Sequence, residues 1–316
     1  VETLLIRARQ WSLQKHVGQA ISDCETALAH APGHAAALDL LCGINELLTT
    51  VLKPQVETRT ADQSNPSILL AGQSASASVY ICGEVQKYAE VPPAWVHLTA
   101  GDYYDAKIVR NQLDELVECR GIKTCHLFAS HENLLCLEVS GIRKVWAHVR
   151  DPRQVTLSML KYWTMRHSAC VGDSSKEGEY ERRLIESFFP PGFYELPFEQ
   201  QIDEALKSYY PHAMAFSSQW LAATEDPQWS FEILLTTFEQ FKMERVVFYQ
   251  RVLDFYNLDY EQSPFPEQEV REEEQSVTYY RKGQLDEFRS VFSPEQLERA
   301  NAMLPPELRE YFKWSL

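Results

Sequence analysis

Two short runs of residues combine types and spacing suited to holding a phosphate. The first is Arg150-Asp151-Pro152-Arg153, with Ser158 eight residues beyond Arg150. The apolar stretch before it, Lys144–Val149 (KVWAHV), reads as a buried strand, and Asp151-Pro152 opens a helix through about Arg166. An arginine at the C-terminal edge of a strand can grip a phosphate bidentately, and a hydroxyl on the following helix completes the cradle. A plainer reading leaves Asp151 as a helix N-cap and Arg150 as an ordinary surface ion pair. The second run is Arg281-Lys282-Gly283, followed by Phe288 and Phe292. Two cations and a glycine allow side-chain and backbone N–H contacts to one phosphate. Alone, such a tripeptide is more often a solvated patch; in this order the two runs support each other.

Other chemistries lack their residues. No G-x-x-x-x-G-K-[ST] is present, so an ATP- or GTP-hydrolysing site would miss its phosphate lysine and magnesium hydroxyl. No G-x-G-x-x-G follows a strand and no G-x-S-x-G occurs, which leaves dinucleotide oxidoreductase and hydrolase-elbow readings unsupported. Cys119, Cys125, His126 and His131 are of zinc-ligand type, but their crowded spacing fits no structural zinc pattern, and no metal is expected.

The elements that must position these residues fall into two parts. Residues 2–31 read as two amphipathic helices, with Ala8, Ala20 and Ala27, Trp11 and Pro32 at the spacing of a tetratricopeptide repeat. An ordinary helical hairpin is the alternative. Ala35–Thr50 then resembles the first helix of a following repeat. The chain starts at Val1 rather than Met, which reads as a piece of something longer, with further repeats upstream or absent. Residues 53–66 (KPQVETRTADQSNP) are polar and proline-bounded, a linker. From Ser67 the character changes: Ile68–Ala71 is a short apolar run leading into the small-residue loop GQSASAS at 72–78. Strands alternating with helical patterns indicate an α/β domain with a mainly parallel sheet flanked by helices. The expected division is therefore 1–52 helical and tetratricopeptide-like, 53–66 linker and 67–316 α/β domain.

Bulk properties narrow the function classes. The 316 residues carry 30 Lys+Arg against 45 Asp+Glu, a net −15, so general electrostatic binding to nucleic acid or to an anionic membrane is not expected. An anionic ligand must be held by a local basic site working against that field. Seven scattered cysteines without a C-x-x-C pair fit a reducing compartment, which points to the cytoplasm. No uninterrupted apolar stretch approaches 18 residues, and the first residues show no cleavable signal.

With those residues in hand, the segment from about Ser67 to Trp314 resembles the sulfotransferases that use 3′-phosphoadenosine-5′-phosphosulfate. In that family an arginine at a strand end and a serine eight residues on bind the nucleotide's 3′-phosphate, matching Arg150 and Ser158. A C-terminal Arg-Lys-Gly closes over the same phosphate, matching Arg281, Lys282 and Gly283. Trp220 and Leu235–Phe241 (LTTFEQF) sit where members keep a tryptophan and a Thr/Tyr-Glu-x-Φ pattern. The resemblance implies a P-loop-kinase-like sheet. It also implies that the loop backbone over Gln73, Ser74, Ser76, Ala77, Ser78 and Val79 cradles the 5′-phosphosulfate. Lys123-Thr124-Cys125-His126-Leu127 resembles the family's Lys-Thr-His-Leu, with an inserted cysteine, making His126 the general base and His131 the alternate.

The loop departs from the family at one point. Where members carry a catalytic Lys or Arg, this chain places Ala75 or, one step shifted, Gln73; neither is basic. A Lys→Ala substitution introduced into a loop reading GxSKSAS and a naturally degenerate site both account for Ala75. The missing cation would stabilise the leaving oxygen, so transfer should suffer more than binding. The expected activity is sulfuryl transfer from the nucleotide co-substrate to an O- or N-nucleophile of a small-molecule acceptor, releasing 3′-phosphoadenosine-5′-phosphate. The acidic stretch Glu267, Glu269, Glu272, Glu273 and Glu274 favours a cationic, natural-product-like acceptor, unless it only solvates its loop. The alternative is a nucleotide-binding, non-catalytic domain joined to a helical module that binds a protein partner.

Overall fold

The structure is a computed structural model that describes residues 40, 66–94, 96, 98–100, 106–170, 186–258 and 283–315. The tetratricopeptide-like and linker segments therefore lie outside the described residues, apart from Leu40 and Pro66.

Four parallel strands form the central sheet: β1 (Ile68–Gly72), β4 (Ile122–Cys125), β5 (Lys144–Val149) and β6 (Glu232–Thr237), in the order β4-β1-β5-β6. A short antiparallel pair, β2 (Thr99–Ala100) with β3 (Lys107–Ile108), stands apart from it. Parallel strands need crossover connections, and helices supply them. After β1 comes α1 (Ser78–Tyr88); α2 (Arg110–Cys119) precedes β4; α3 (His131–Ser140) links β4 to β5; α4 (Pro152–Cys170) and α5 (Phe198–Glu225) lead from β5 to β6. Beyond β6 run α6 (Phe238–Met243) and α7 (Arg245–Tyr256), then α8 (Phe288–Val291), α9 (Pro294–Met303) and α10 (Pro306–Phe312).

The two central strands, β1 and β5, are buried on both faces because helices cover both. With a period of two, Leu69 and Ala71 of β1 and Val145, Ala147 and Val149 of β5 join one core, shared with Leu137 of α3, Leu160 of α4 and Trp220 of α5. Ile68, Leu70 and Trp146 face the opposite way, onto Ile81 and Val85 of α1 and Phe248 and Val252 of α7. Each Val, Leu or Ile among them contributes about 1.5–3 kcal/mol through burial.

Strand order decides where a ligand can sit. From β1 the chain crosses to β4 on one side, whereas from β5 it continues to β6 on the other. The connections diverge between β1 and β5, and in open α/β sheets the crevice at such a point, beyond the strands' C-terminal ends, is where ligands bind. The loops that leave those two ends are 73–77 and Arg150-Asp151. Among the described residues no helix is long and apolar enough to cross a membrane.

Candidate functional site

At the end of β1 the chain turns through Gln73–Ala77 into α1, so Ser78 and Val79 belong to the helix rather than to the loop. Ala75 (φ 56°) and Ala77 (φ 65°) both adopt the left-handed conformation, which costs a residue with a Cβ. The strand end and the helix start approach closely: a Cβ on Gly72 would lie 2.3 Å from the Ser78 Cβ, which fixes glycine there. No side chain caps α1, so the N–H groups of its first turn are presented to the loop, an arrangement that favours an anion. Ser74, Ser76 and Ser78 are buried around this turn, and Ser76 Oγ donates to the Gln73 carbonyl (2.6 Å). Val79 is 71% exposed and takes no part in the loop's own bonding beyond its place in the first helical turn.

Gln73 is a structural post. Its side chain, 2% exposed, donates from Nε2 to the Ala213 carbonyl (2.8 Å) and accepts from the Arg150 N–H at Oε1 (2.7 Å). It thereby ties β1, the end of β5 and α5 together. Of the two alternatives for the missing loop cation, Ala75 is the one whose side chain carries no such structural duty.

Arg150 follows β5 directly and is buried, not a surface ion pair. Its guanidinium lies 3.9 Å from the centre of the Phe238 ring, with Nη1 donating to Ala75 O and Nη2 to Gln284 O, both at 2.7 Å. One side chain thus joins the small-residue loop to the segment that follows the C-terminal Arg-Lys-Gly. Gly283 has φ 58°, a conformation glycine adopts without cost; Arg281 and Lys282 lie outside the described residues. Ser158, half-buried on α4, accepts from Gln154 Nε2 (3.2 Å), and Gln154 Oε1 accepts from the Phe288 N–H (3.2 Å).

Around Arg150 a buried frame fixes the strand–helix junction. Asp151 caps α4 by accepting from the Arg153 N–H (2.9 Å), with Pro152 at the first helical position. The same carboxylate takes a fork from the Arg153 guanidinium at 3.0 and 2.6 Å. Arg153, fully buried, also reaches Asn301 Oδ1 (2.5 Å) and the Ser315 carbonyl (2.7 Å). Breaking a buried pair of this kind typically costs about 3–5 kcal/mol. The segment LTTFEQF joins this frame: Thr237 and Gln240 form a capping box, Phe238 carries Arg150, and Glu239 accepts from the Asp151 N–H (3.1 Å) and Trp314 Nε1 (3.3 Å). Burial, and then the nearby Asp151 carboxylate, push the Glu239 pKa up.

His126 follows β4 and faces the β1 loop. Its Nδ1–H donates to the Gly72 carbonyl at 2.6 Å, which makes Nε2 the basic nitrogen of the neutral ring. Burial lowers its pKa below the ordinary 6.5, outweighing the carbonyl contact that favours the charged form. An imidazole held in one tautomer and neutral near pH 7 is suited to take a proton. Trp220, fully buried on α5, donates to the Leu127 carbonyl (2.8 Å) and steadies the residue next to it. His131 stands elsewhere: it is exposed at the start of α3, its ring 5.7 Å from that of Trp229.

A histidine without any sequence signal also supports the loop. His148, buried within β5, donates from Nε2 to the Ser76 carbonyl (2.9 Å). Its Nδ1 accepts from the Thr236 hydroxyl (2.8 Å), which itself accepts from Trp146 Nε1 (2.7 Å). Burial drives its pKa down to about 3, so it works as a neutral strut. Among the described residues no three His, Cys, Asp or Glu side chains gather as a metal site; Cys119 is exposed, while burial holds the Cys125 thiol up at about 12.

No family model matches the chain, and no curated protein sequence matches it. Among solved structures it is similar to mouse sulfotransferase SULT7A1, in a crystal structure complexed with PAP. The identity is 14% and the TM-score 0.40, over 85% of this chain and 92% of that one.

Proposed function

We propose that the domain binds 3′-phosphoadenosine-5′-phosphosulfate at the β1/β5 crevice and transfers its sulfuryl group to the hydroxyl or amine of a small-molecule acceptor. The observation that carries this reading is the meeting, through Arg150, of the loop at Ala75 with the segment at Gln284. Those are two of the three parts that must surround one nucleotide, and the third, His126, is oriented by the strand that the loop leaves.

Each part has a defined task in that reading. The backbone N–H groups of 74–79 and the hydroxyls of Ser76 and Ser78 hold the 5′-phosphosulfate, which the uncapped start of α1 favours, while the Gln73 N–H stays on the His148 carbonyl. Arg150 and Ser158, with Arg281, Lys282 and the backbone of Gly283, hold the 3′-phosphate. Phosphate oxygens would replace the two carbonyls that Arg150 now satisfies, keeping its planar fork on Phe238. His126 Nε2 takes the acceptor's proton while Gly72 O fixes the ring. Charge is met by N–H groups and cations, so no metal is needed. A helical module at 1–52, able to bind a protein partner, and a cytoplasmic setting complete the proposal.

A second reading, donor binding without transfer, is favoured by one observation: the loop presents Ala75 where the reading calls for a cation. The variant His126→Ala separates the two. In the catalytic reading it abolishes transfer of sulfur-35 label from the donor to a panel of phenols, amines and guanidines, with affinity for 3′-phosphoadenosine-5′-phosphate kept within threefold. If the unaltered protein transfers label and His126→Ala does so equally well, the assigned base is wrong; if neither transfers any, the binding-only reading stands.

A further inference from the structure

A small cavity of about 10 Å³, enough for about one water, lies between the ends of β1 and β4 and the middle of α5. Gln73 and Ser74 of the loop form one wall, His126 another, and His212 of α5 a third. The sequence gives His212 no motif, yet it faces the same space as the candidate base, beside the residue that precedes Ala75. Its immediate neighbour Pro211 sits inside the 28-residue helix α5. An internal proline typically costs about 3 kcal/mol or more and removes one helical hydrogen bond, a concession that proteins concentrate near sites. The helix is also anchored here to the loop, through Gln73 Nε2 on the Ala213 carbonyl. His212 is therefore held at a fixed place relative to the loop that lacks a cation.

We propose that His212 is a catalytic residue of the sulfuryl transfer, donating an imidazole N–H to the phosphate oxygen that leaves the sulfur and so doing part of the work absent at Ala75. This rests on the sulfuryl-transfer reading above. In the step, the acceptor oxygen forms a bond to sulfur while the sulfur–oxygen bond to the nucleotide's 5′-phosphate breaks. The acceptor's proton passes to His126 Nε2, and the bonding pair of the broken bond stays on the phosphate oxygen, where the His212 N–H receives it as a hydrogen bond. The products are the sulfated acceptor and 3′-phosphoadenosine-5′-phosphate. A donor aimed at a leaving oxygen raises the rate without tightening the ground state.

His212 also packs, its ring 4.6 Å from Phe128 and 5.3 Å from Phe188, so truncation would disturb the core. The test therefore uses His212→Phe, which keeps a ring but no donor, and His212→Gln, which keeps a donor. The readout is release of labelled sulfate from the sulfur-35 donor with water as acceptor, together with calorimetric affinity for 3′-phosphoadenosine-5′-phosphate. Expected is a loss of about 10²-fold in rate in His212→Phe and less than about tenfold in His212→Gln. Because the same N–H still meets the phosphate oxygen in the product, product affinity should fall by about tenfold in His212→Phe and stay within threefold in His212→Gln. Equal rates in His212→Phe and the unaltered protein overturn the proposal. So does an unaltered protein that binds the nucleotide but releases sulfate no faster than buffer. Absence of nucleotide binding in the unaltered protein overturns the underlying reading instead.

Discussion

Replacing Arg150 by lysine tests how much the guanidinium fork matters, because charge is kept and geometry is lost. Arg150 makes two hydrogen bonds at 2.7 Å in different directions, to Ala75 O and Gln284 O, with its plane 3.9 Å from the Phe238 ring. A lysine ammonium at this depth reaches one of the two groups and gives up the planar stacking. One charge-assisted hydrogen bond is worth about 1.5–3 kcal/mol. When the same fork holds the 3′-phosphate, affinity for 3′-phosphoadenosine-5′-phosphate should therefore fall by about ten- to a hundredfold. Isothermal calorimetry reads this directly, and a urea melt of the ligand-free protein reads the accompanying loss of the loop–tail connection. Because Asp151, Arg153 and Glu239 fix the strand–helix junction independently, the fold should persist. Unchanged nucleotide affinity in a folded Arg150→Lys protein would refute the assignment of this arginine to the phosphate.

Three further outcomes follow from the same geometry. Ala75→Lys should raise transfer by about 10²–10³ while changing donor affinity far less, since a cation at the leaving oxygen acts mainly in the transition state; Gln73→Lys should instead destabilise the protein, because Gln73 bridges Ala213 O and Arg150 N. A larger rate gain from Gln73→Lys than from Ala75→Lys would reverse the alignment of the loop. His148 supplies a pH dependence: its folded-state pKa of about 3 lies below the ordinary 6.5, so its contribution is complete above pH 6.5 and lost as pH falls toward 3. Relative to His148→Gln, the unaltered protein should lose about 1.4 kcal/mol per pH unit across that window; parallel stability curves would show that the ring is not held neutral.

Much of the site could be read from residue order because its chemistry sits where elements change. A short apolar run ending in a small-residue loop marks β1 and its turn. The run Lys144–Val149 followed by Asp151-Pro152 marks β5 and the start of α4, since proline fits the first helical position. The helix runs four residues beyond the expected Arg166, to Cys170. What stayed hidden were polar residues whose role is defined only by tertiary partners. Nothing in KVWAHV singles out His148, because a histidine in an apolar strand shows its use only when Thr236 and Ser76 arrive from other elements. Gln73 and Glu239 are alike in this. The strand β6 was masked by its immediate junction with α6, where EILLTT runs into FEQF without a turn residue. Pro211 made α5 hard to foresee as a single helix, and with it the placement of His212 beside His126. His131, attractive by residue type, is set apart by the turn that starts α3.

Recognition, at the β1/β5 crevice, of a nucleotide carrying both a 3′- and a 5′-phosphate underlies every role proposed above. The most direct measurement is a pair of calorimetric titrations of the full chain, one with 3′-phosphoadenosine-5′-phosphate and one with adenosine 5′-phosphate. We expect saturable binding of the first and an affinity at least about a hundredfold weaker for the second, which lacks the phosphate that Arg150, Ser158, Arg281, Lys282 and Gly283 hold. Equal affinities, or no binding of either nucleotide, would contradict it.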